Sequence, residues 1–469
     1  MASVVHRTTL SILVTGALVL IGLVPDSRAT PAANATHRPT PDPAAGQAAY
    51  QQSCARCHGM QGKGDGVDAK RFYPRPRDFT VGTYKFRRTT SGTPPCDDDL
   101  FATITNGLPG TNMPDWRQLS EETRWQLVDY LKSFAPQVFQ QESTPVTLPV
   151  FSSNPKANTG RAAYDKYGCA ACHGKQGRAN GRSSATLVDD WGMPIRPANL
   201  TQGWAYRGGN SPTAIATRFL TGIDGTGMPS YVESGMTPEE TWQLAYYVAS
   251  LQEPAHWNMI VHAHRIDGEL PTTVDDPRWQ AAERTDVRLR NVVTPTGEWA
   301  NPPTVRAATF QVVYNEEQLG LLVSWDDPSE SRNESPDALA VILEPASVKG
   351  DVVTLQAWPY AGAPPLDLCY WSAPSSTAYE GIVSNYEQIQ TRPPSAAELH
   401  NAARFDDGRW RLLLRRSLTP HTPQGAAALT ADVLTPMAFA VWDGGNHQAL
   451  AVSPWVDVAL ERARHPAHH

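Results

Sequence analysis

Beyond residue 24 the chain has no long apolar run, so only the N-terminal segment resembles anything that could enter a membrane. It has no basic tract either. Its 40 Lys and Arg stand against 47 Asp and Glu, a formal charge of −7, and that balance gives no sign of a nucleic-acid partner. No grouping of acid, base and nucleophile stands out, so no catalytic residues are assigned. Cysteine is scarce, six in 469 residues, and four of the six fall in two Cys-x-x-Cys pairs, leaving Cys96 and Cys369 over. Histidine is absent between His58 and His173, and again between His173 and His256.

What is present begins with length. A chain of 469 residues, 41% apolar, is expected to form two to four domains with ordinary cores, and its forty prolines point to loop-rich units with extended connections. His6 and Arg7, an apolar run from Leu10 to Val24 and Ser27-Arg28-Ala29 read as an export signal over residues 1–29. The expected location is therefore periplasmic or otherwise exported. A membrane contact is expected only if that segment stays uncleaved, and its run of 15 residues is short for a span.

The organising stretch is Cys54-Ala55-Arg56-Cys57-His58, which recurs as Cys169-Ala170-Ala171-Cys172-His173. Cys-x-x-Cys alone serves redox thiols and zinc sites as well. The histidine that follows both pairs favours covalent haem attachment, in which two thiols bond the vinyl groups and the histidine lies under the iron. Two haem c groups are thus expected, held by Cys54, Cys57, Cys169 and Cys172, and the two motifs stand 115 positions apart.

Met113-Pro114 and Met228-Pro229 are also 115 apart, each methionine 55 residues beyond its motif histidine in a glycine-rich loop. Arg75-Pro76-Arg77-Asp78-Phe79 matches Arg196-Pro197-Ala198-Asn199-Leu200. Gly46 with Tyr50, and Gly160 with Tyr164, share a helical Gly-x-x-x-Tyr pattern that lets another helix approach. Each copy closes with an amphipathic helix, Ser120 to Phe134 and Thr237 to Leu251, and Thr237-Pro238-Glu239-Glu240 forms a capping signature. A tandem repeat is expected, with domains at 40–135 and 156–253.

Both copies resemble class I cytochrome c domains. The resemblance implies small all-α folds with His58 and His173 as proximal ligands and Met113 and Met228 as distal ones. It also implies a backbone carbonyl near Pro76 and Pro197 that orients each imidazole. The lack of any other local histidine favours the methionines independently; Met60 sits too near the attachment site, and Met193 has no counterpart. His/Met ligation saturates the iron, which points to electron transfer and not to an enzyme.

From Ala255 the texture changes to β-rich runs: Asp286–Val293, Thr304–Tyr314, Leu319–Trp325, Ala338–Leu343, Trp410–Leu414 and Met437–Trp442. The third domain is expected over 255–462 as an all-β antiparallel sandwich. Val274-Asp275-Asp276-Pro277-Arg278-Trp279, Ser324-Trp325-Asp326-Asp327-Pro328, Tyr370-Trp371, Asp407-Gly408-Arg409-Trp410 and Ala438–Gly444 resemble the haem-binding domain of ethylbenzene dehydrogenase gamma subunits. That resemblance implies a haem b between methionine and lysine, and a molybdenum oxidoreductase partner with an iron-sulfur subunit, of nitrite oxidoreductase or nitrate reductase type. Both ligands are missing here, in Pro364–Cys369 and Gln448–Trp455, so the haem b is not carried over. His256, His262 and His264 read as linker or interface residues, His465, His468 and His469 as a tail, and Asp326-Asp327 with Ser329-Glu330 as a turn and not a calcium site.

The expectation is an exported dihaem cytochrome acting as a gamma-like or accessory subunit. The alternative is a dihaem sensor or substrate-oxidising protein whose sandwich binds a small ligand or glycan.

Overall fold

The computed structural model describes residues 38–150, 157–291, 304–345, 365–375, 377–385, 388–391, 399–419, 426–431, 433–446 and 449–460. The export signal and the histidine tail lie outside these, as do Pro364 and Gln448.

Helices α1 (Pro43–Ser53), α2 (Ala55–His58), α3 (Asp97–Asn106) and α4 (Glu121–Lys132) build a first unit. A second repeats it with α5 (Ala157–Lys166), α6 (Ala170–His173), α7 (Pro212–Thr221) and α8 (Pro238–Ser250). The start of α1 is fixed by Asp42, whose carboxylate accepts from the amides of Ala44 and Ala45, with Pro43 preset for the first turn. The expected capping box of Thr237 and Glu240 opens α8. Helices α3 and α7 were not expected; each is only ten residues long and follows an irregular loop.

The Gly-x-x-x-Tyr pattern explains the packing. A Cβ on Gly46 would stand 2.5 Å from the Gln126 carbonyl oxygen of α4, and one on Gly160 would collide with the Gln243 carbonyl oxygen of α8. Bare glycine lets the first and last helices of each unit touch along their backbones. One turn on, Tyr50 and Tyr164 are fully buried, and their hydroxyls donate to the carbonyls of Gly59 at 2.8 Å and Gly174 at 2.7 Å. Those two carbonyls directly follow the motif histidines, so the helix contact also positions the motif.

Among the described residues fourteen strands follow. They are β1 (Ile260–Arg265), β2 (Thr285–Arg288), β3 (Arg290–Asn291), β4 (Ala307–Tyr314), β5 (Gln318–Asp326), β6 (Ala338–Leu343) and β7 (Leu366–Ser372). The rest are β8 (Tyr379–Asn385), β9 (Gln388–Thr391), β10 (Leu399–Asp406), β11 (Arg409–Ser417), β12 (Thr435–Asp443), β13 (Ala449–Val452) and β14 (Val456–Leu460). The main order is β10-β11-β5-β4-β1-β14-β12-β6-β7-β8-β9. The two halves of this order face each other: Phe310 of β4 meets Phe439 of β12 at 4.7 Å, and Trp371 of β7 meets Trp410 of β11 at 5.1 Å, although neither pair lies on neighbouring strands.

The sandwich is mainly antiparallel but not wholly so. Strand β1 pairs in parallel with both β4 and β14, which corrects the all-antiparallel expectation. It is the seam strand shared by both halves, and its partners are distant in sequence, so no hairpin signal marks it. His262 and His264 alternate outward from it, exposed, while Val261 and Ala263 point into the core.

Charged contacts join the units. Asp224, in the loop that carries Met228, pairs with Arg87 at 2.7 Å and accepts from Ser91 Oγ at 2.6 Å and the Gly92 amide at 2.9 Å. Toward the β domain, Asp326 accepts from Asn199 at 2.7 Å and from Arg409 at 2.6 Å, while Glu253 pairs with Arg409 at 2.9 Å and Arg284 at 3.1 Å. Cys96 and Cys369 are free thiols on separate units; Cys96 bonds Asp99 at 3.0 Å, and Cys369 is buried within β7.

Candidate cofactor sites

Each motif occupies a single helical turn. The amide of His58 donates to the Cys54 carbonyl at 2.9 Å, and that of His173 to the Cys169 carbonyl at 2.9 Å, so both thiols and the imidazole are carried by one short helix. The turn then ends at once. Gly59 and Gly174 have φ of 79° and 81°, and a Cβ on either would meet the side chain of Asp65 or Asn180.

The imidazoles are held alike. His58 Nδ1 lies 3.0 Å from the Arg77 carbonyl oxygen and His173 Nδ1 2.9 Å from that of Ala198. These carbonyls belong to the residues just after Pro76 and Pro197, where the sequence placed them. A carbonyl only accepts, so Nδ1 carries the proton and Nε2 keeps its lone pair for a metal. Burial lowers both imidazole pKa values below the ordinary histidine value, which keeps the rings neutral as a ligand must be. Phe79 stacks on the His58 ring at 4.5 Å.

The methionine loops match atom for atom in their bonds. The Leu108 amide donates to the Met113 carbonyl at 3.1 Å and the Ile223 amide to that of Met228 at 3.0 Å. Thr111 Oγ1 accepts from the Met113 amide at 3.1 Å, and Thr226 Oγ1 from the Met228 amide at 3.2 Å.

In the second unit these pieces converge. A cavity of about 280 Å³ is lined by Cys169, Cys172, His173 and Met228, with Leu187, Ile195, Leu200, Tyr206, Phe219 and Leu244 among its apolar walls. Tyr73 and Phe86 of the first unit and Arg306 of the β domain also reach it. An apolar slot with two thiols, a neutral imidazole and a thioether is the donor set of a covalently held haem. The cavity also contains cations that sequence reasoning missed. Arg207 and Arg306 line it with no carboxylate bonded to either, and burial with the Arg306 charge nearby lowers the Arg207 pKa to about 9. Two arginines so placed fit an anionic group, and haem carries two carboxylates. Arg207 had a signal, since Tyr206-Arg207 repeats Phe86-Arg87; Arg306, arriving from another domain, had none.

His256, His262 and His264 are exposed and do not converge on these sites. Among the described residues no helix is long and apolar enough to cross a membrane.

The family described as cytochrome C oxidase, cbb3-type, subunit III matches residues 41–131 and 155–248, one segment per helical unit. No curated protein matches the chain. Among solved structures, a chain of the Kuenenia stuttgartiensis reducing HAO-like protein complex is 40% identical, over 45% of this chain and 96% of that one, with a TM-score of 0.42. A family 9 carbohydrate-binding module from Caldicellulosiruptor kristjanssonii in complex with glucose is 13% identical over 44% of this chain and 99% of its own, with a TM-score of 0.27. The cytochrome domain of Myriococcum thermophilum cellobiose dehydrogenase is 10% identical over 36% and 88%, with a TM-score of 0.20. Over residues 41–131 and 155–248 the chain is similar to this cbb3-type cytochrome family, which supports an electron-transfer haem protein with covalently bound c-type haem.

Proposed function

We propose that the protein is an exported, periplasmic dihaem cytochrome that passes electrons for a larger oxidoreductase. The observation that carries this reading is the meeting of Cys169, Cys172, His173 and Met228 in one cavity, with the same local hydrogen bonds repeated around Cys54, Cys57, His58 and Met113. A c-type haem with His/Met ligation supplies reversible one-electron storage. The protein's own part is to hold and shield. The Arg77 and Ala198 carbonyls fix the imidazoles, Thr111 and Thr226 fix the methionine loops, and the apolar walls exclude water. Arg207 and Arg306, which line the second cavity, would hold the haem carboxylates there.

The resemblance of the β domain to ethylbenzene dehydrogenase gamma subunits supports a gamma-like or accessory role beside a molybdenum oxidoreductase. Met113→Ala and Met228→Ala test the ligand set: each should let reduced protein bind carbon monoxide at one haem and lower that haem's potential. Unchanged spectra and potentials would overturn it. Mild purification with mass spectrometry tests the partner, a molybdenum subunit with an iron-sulfur subunit being expected; a lone cytochrome would overturn the subunit role.

A further inference from the structure

Three carboxylates meet inside the β domain. Asp327 directly follows β5, Asp337 directly precedes β6 and Asp443 ends β12, and one oxygen from each lies within 4.8 Å of the others. They are 0%, 0% and 3% exposed.

Hydrogen bonds account for part of the group. Asp337 accepts from the Ser331 amide at 2.8 Å, Trp410 Nε1 at 3.0 Å and the Gly444 amide at 2.8 Å. Asp327 Oδ1 accepts from the Ser329 amide at 3.1 Å. Asp327 Oδ2 is buried without a hydrogen-bond donor, and the two oxygens of Asp443 have only the nearby Gly445 and Asn446 amides, outside full hydrogen-bonding geometry. No lysine or arginine among the described residues forms an ion pair with any of the three; Arg196 acts on Asp443 only through its field.

Ionised carboxylates stripped of water and set beside one another repel, and removing a single proton-accepting site does not relieve the others. Desolvation raises all three pKa values, that of Asp443 to about 7, and the neighbouring aspartates add to the rise at Asp327 and Asp443, Glu330 to that at Asp337. A doubly charged cation between them satisfies every orphaned oxygen at once. The donor set is all oxygen and carries several charges, which selects a hard cation over zinc or copper. Calcium accepts irregular shells of six to eight oxygens, whereas magnesium keeps several waters in a strict octahedron, which a buried group of carboxylates leaves little room for.

We propose that Asp327, Asp337 and Asp443 bind one calcium ion, which ties the ends of β5 and β12 to the start of β6. Asp327 and Asp337 bracket the loop between β5 and β6, and Asp443 ends β12 far along the chain, so no linear spacing announces the site. The neighbour of Asp327 gives the ion a reach beyond the β domain. Asp326 points the other way and holds Asn199 of the second cytochrome unit, so fixing Asp327 also fixes the strand end on which that unit sits.

The test uses full-length, haem-loaded protein purified without chelator. Elemental analysis, with haem iron counting the chains, should find calcium at one per chain. Stripping it with a chelator should lower the unfolding temperature, and calcium chloride should restore it. Asp327→Asn and Asp443→Asn should each weaken calorimetric calcium binding at least tenfold. Absence of calcium, with an unfolding temperature indifferent to chelator and to added calcium, would overturn the proposal, as would an Asp443→Asn protein more stable than the parent, the mark of a protonated cluster. Equal restoration by magnesium would overturn the choice of ion. The chelation and restoration measurements on the unaltered chain stand even where a variant fails to fold.

Discussion

At the scale of single residues, the arginines carry as much of the design as the proposed iron ligands do. Arg87 is fully buried and answered by Asp224 at 2.7 Å, whereas Arg207 and Arg306 share a cavity and neither forms an ion pair among the described residues. A cation beside a haem stabilises the reduced, less positive state. Arg306→Gln is therefore expected to lower the midpoint potential of one haem and leave the other unmoved, as read by spectroelectrochemical titration. Equal shifts in both would place Arg306 outside the second cavity. The cysteines, histidines and methionines proposed as ligands could be picked out of the sequence because a second copy stands 115 residues away as an internal control. Arg306 and the three buried aspartates were not, since their meaning depends on neighbours from other elements, and Asp326-Asp327 taken alone reads only as a turn.

At the scale of elements, the contacts of α1 with α4 and of α5 with α8 set the frame on which the motifs hang. Gly160→Ala places a methyl against the Gln243 carbonyl, which is backbone and cannot turn aside. The helices must then separate, and the variant is expected to lose about 2 kcal/mol of stability. Chemical denaturation followed by tyrosine and tryptophan fluorescence would show it; a loss below ~0.5 kcal/mol would mean that α8 shifts freely. This contact was readable from Gly-x-x-x-Tyr, as were the closing helices and the six strand runs. Helices α3 and α7 escaped notice because their short apolar faces follow proline-containing loops. The parallel seam of β1 escaped because its pairing is non-local: only Val261 and Ala263 point inward, between exposed histidines.

At the scale of the whole molecule, the β domain is a wall of the cavity around Cys169, Cys172, His173 and Met228 as well as a neighbour of it. Asp326 bonds Asn199, Asn199 follows Ala198, and the Ala198 carbonyl holds the His173 ring. Asp326→Ala should raise hydrogen exchange over residues 196–201 and alter the spectrum of one haem alone. If exchange there stayed at the parent level, the domain contact would have no part in holding that loop. None of this reach was visible in the sequence, where the domains follow one another and their shared surfaces leave no pattern.

The grip of Asp224 on Arg87, Ser91 and Gly92 bears on time as well as on place. It comes from the very loop that presents Met228, so the separation of the two proposed haem sites is set by side chains and not by the length of the connecting peptide. Nothing has to diffuse for an electron to cross from one to the other. Exchange between them, followed after a photoreducing flash, should be first order, insensitive to dilution and unaffected when glycerol thickens the solvent. A rate that fell in step with viscosity would mean that the clasp opens before each crossing.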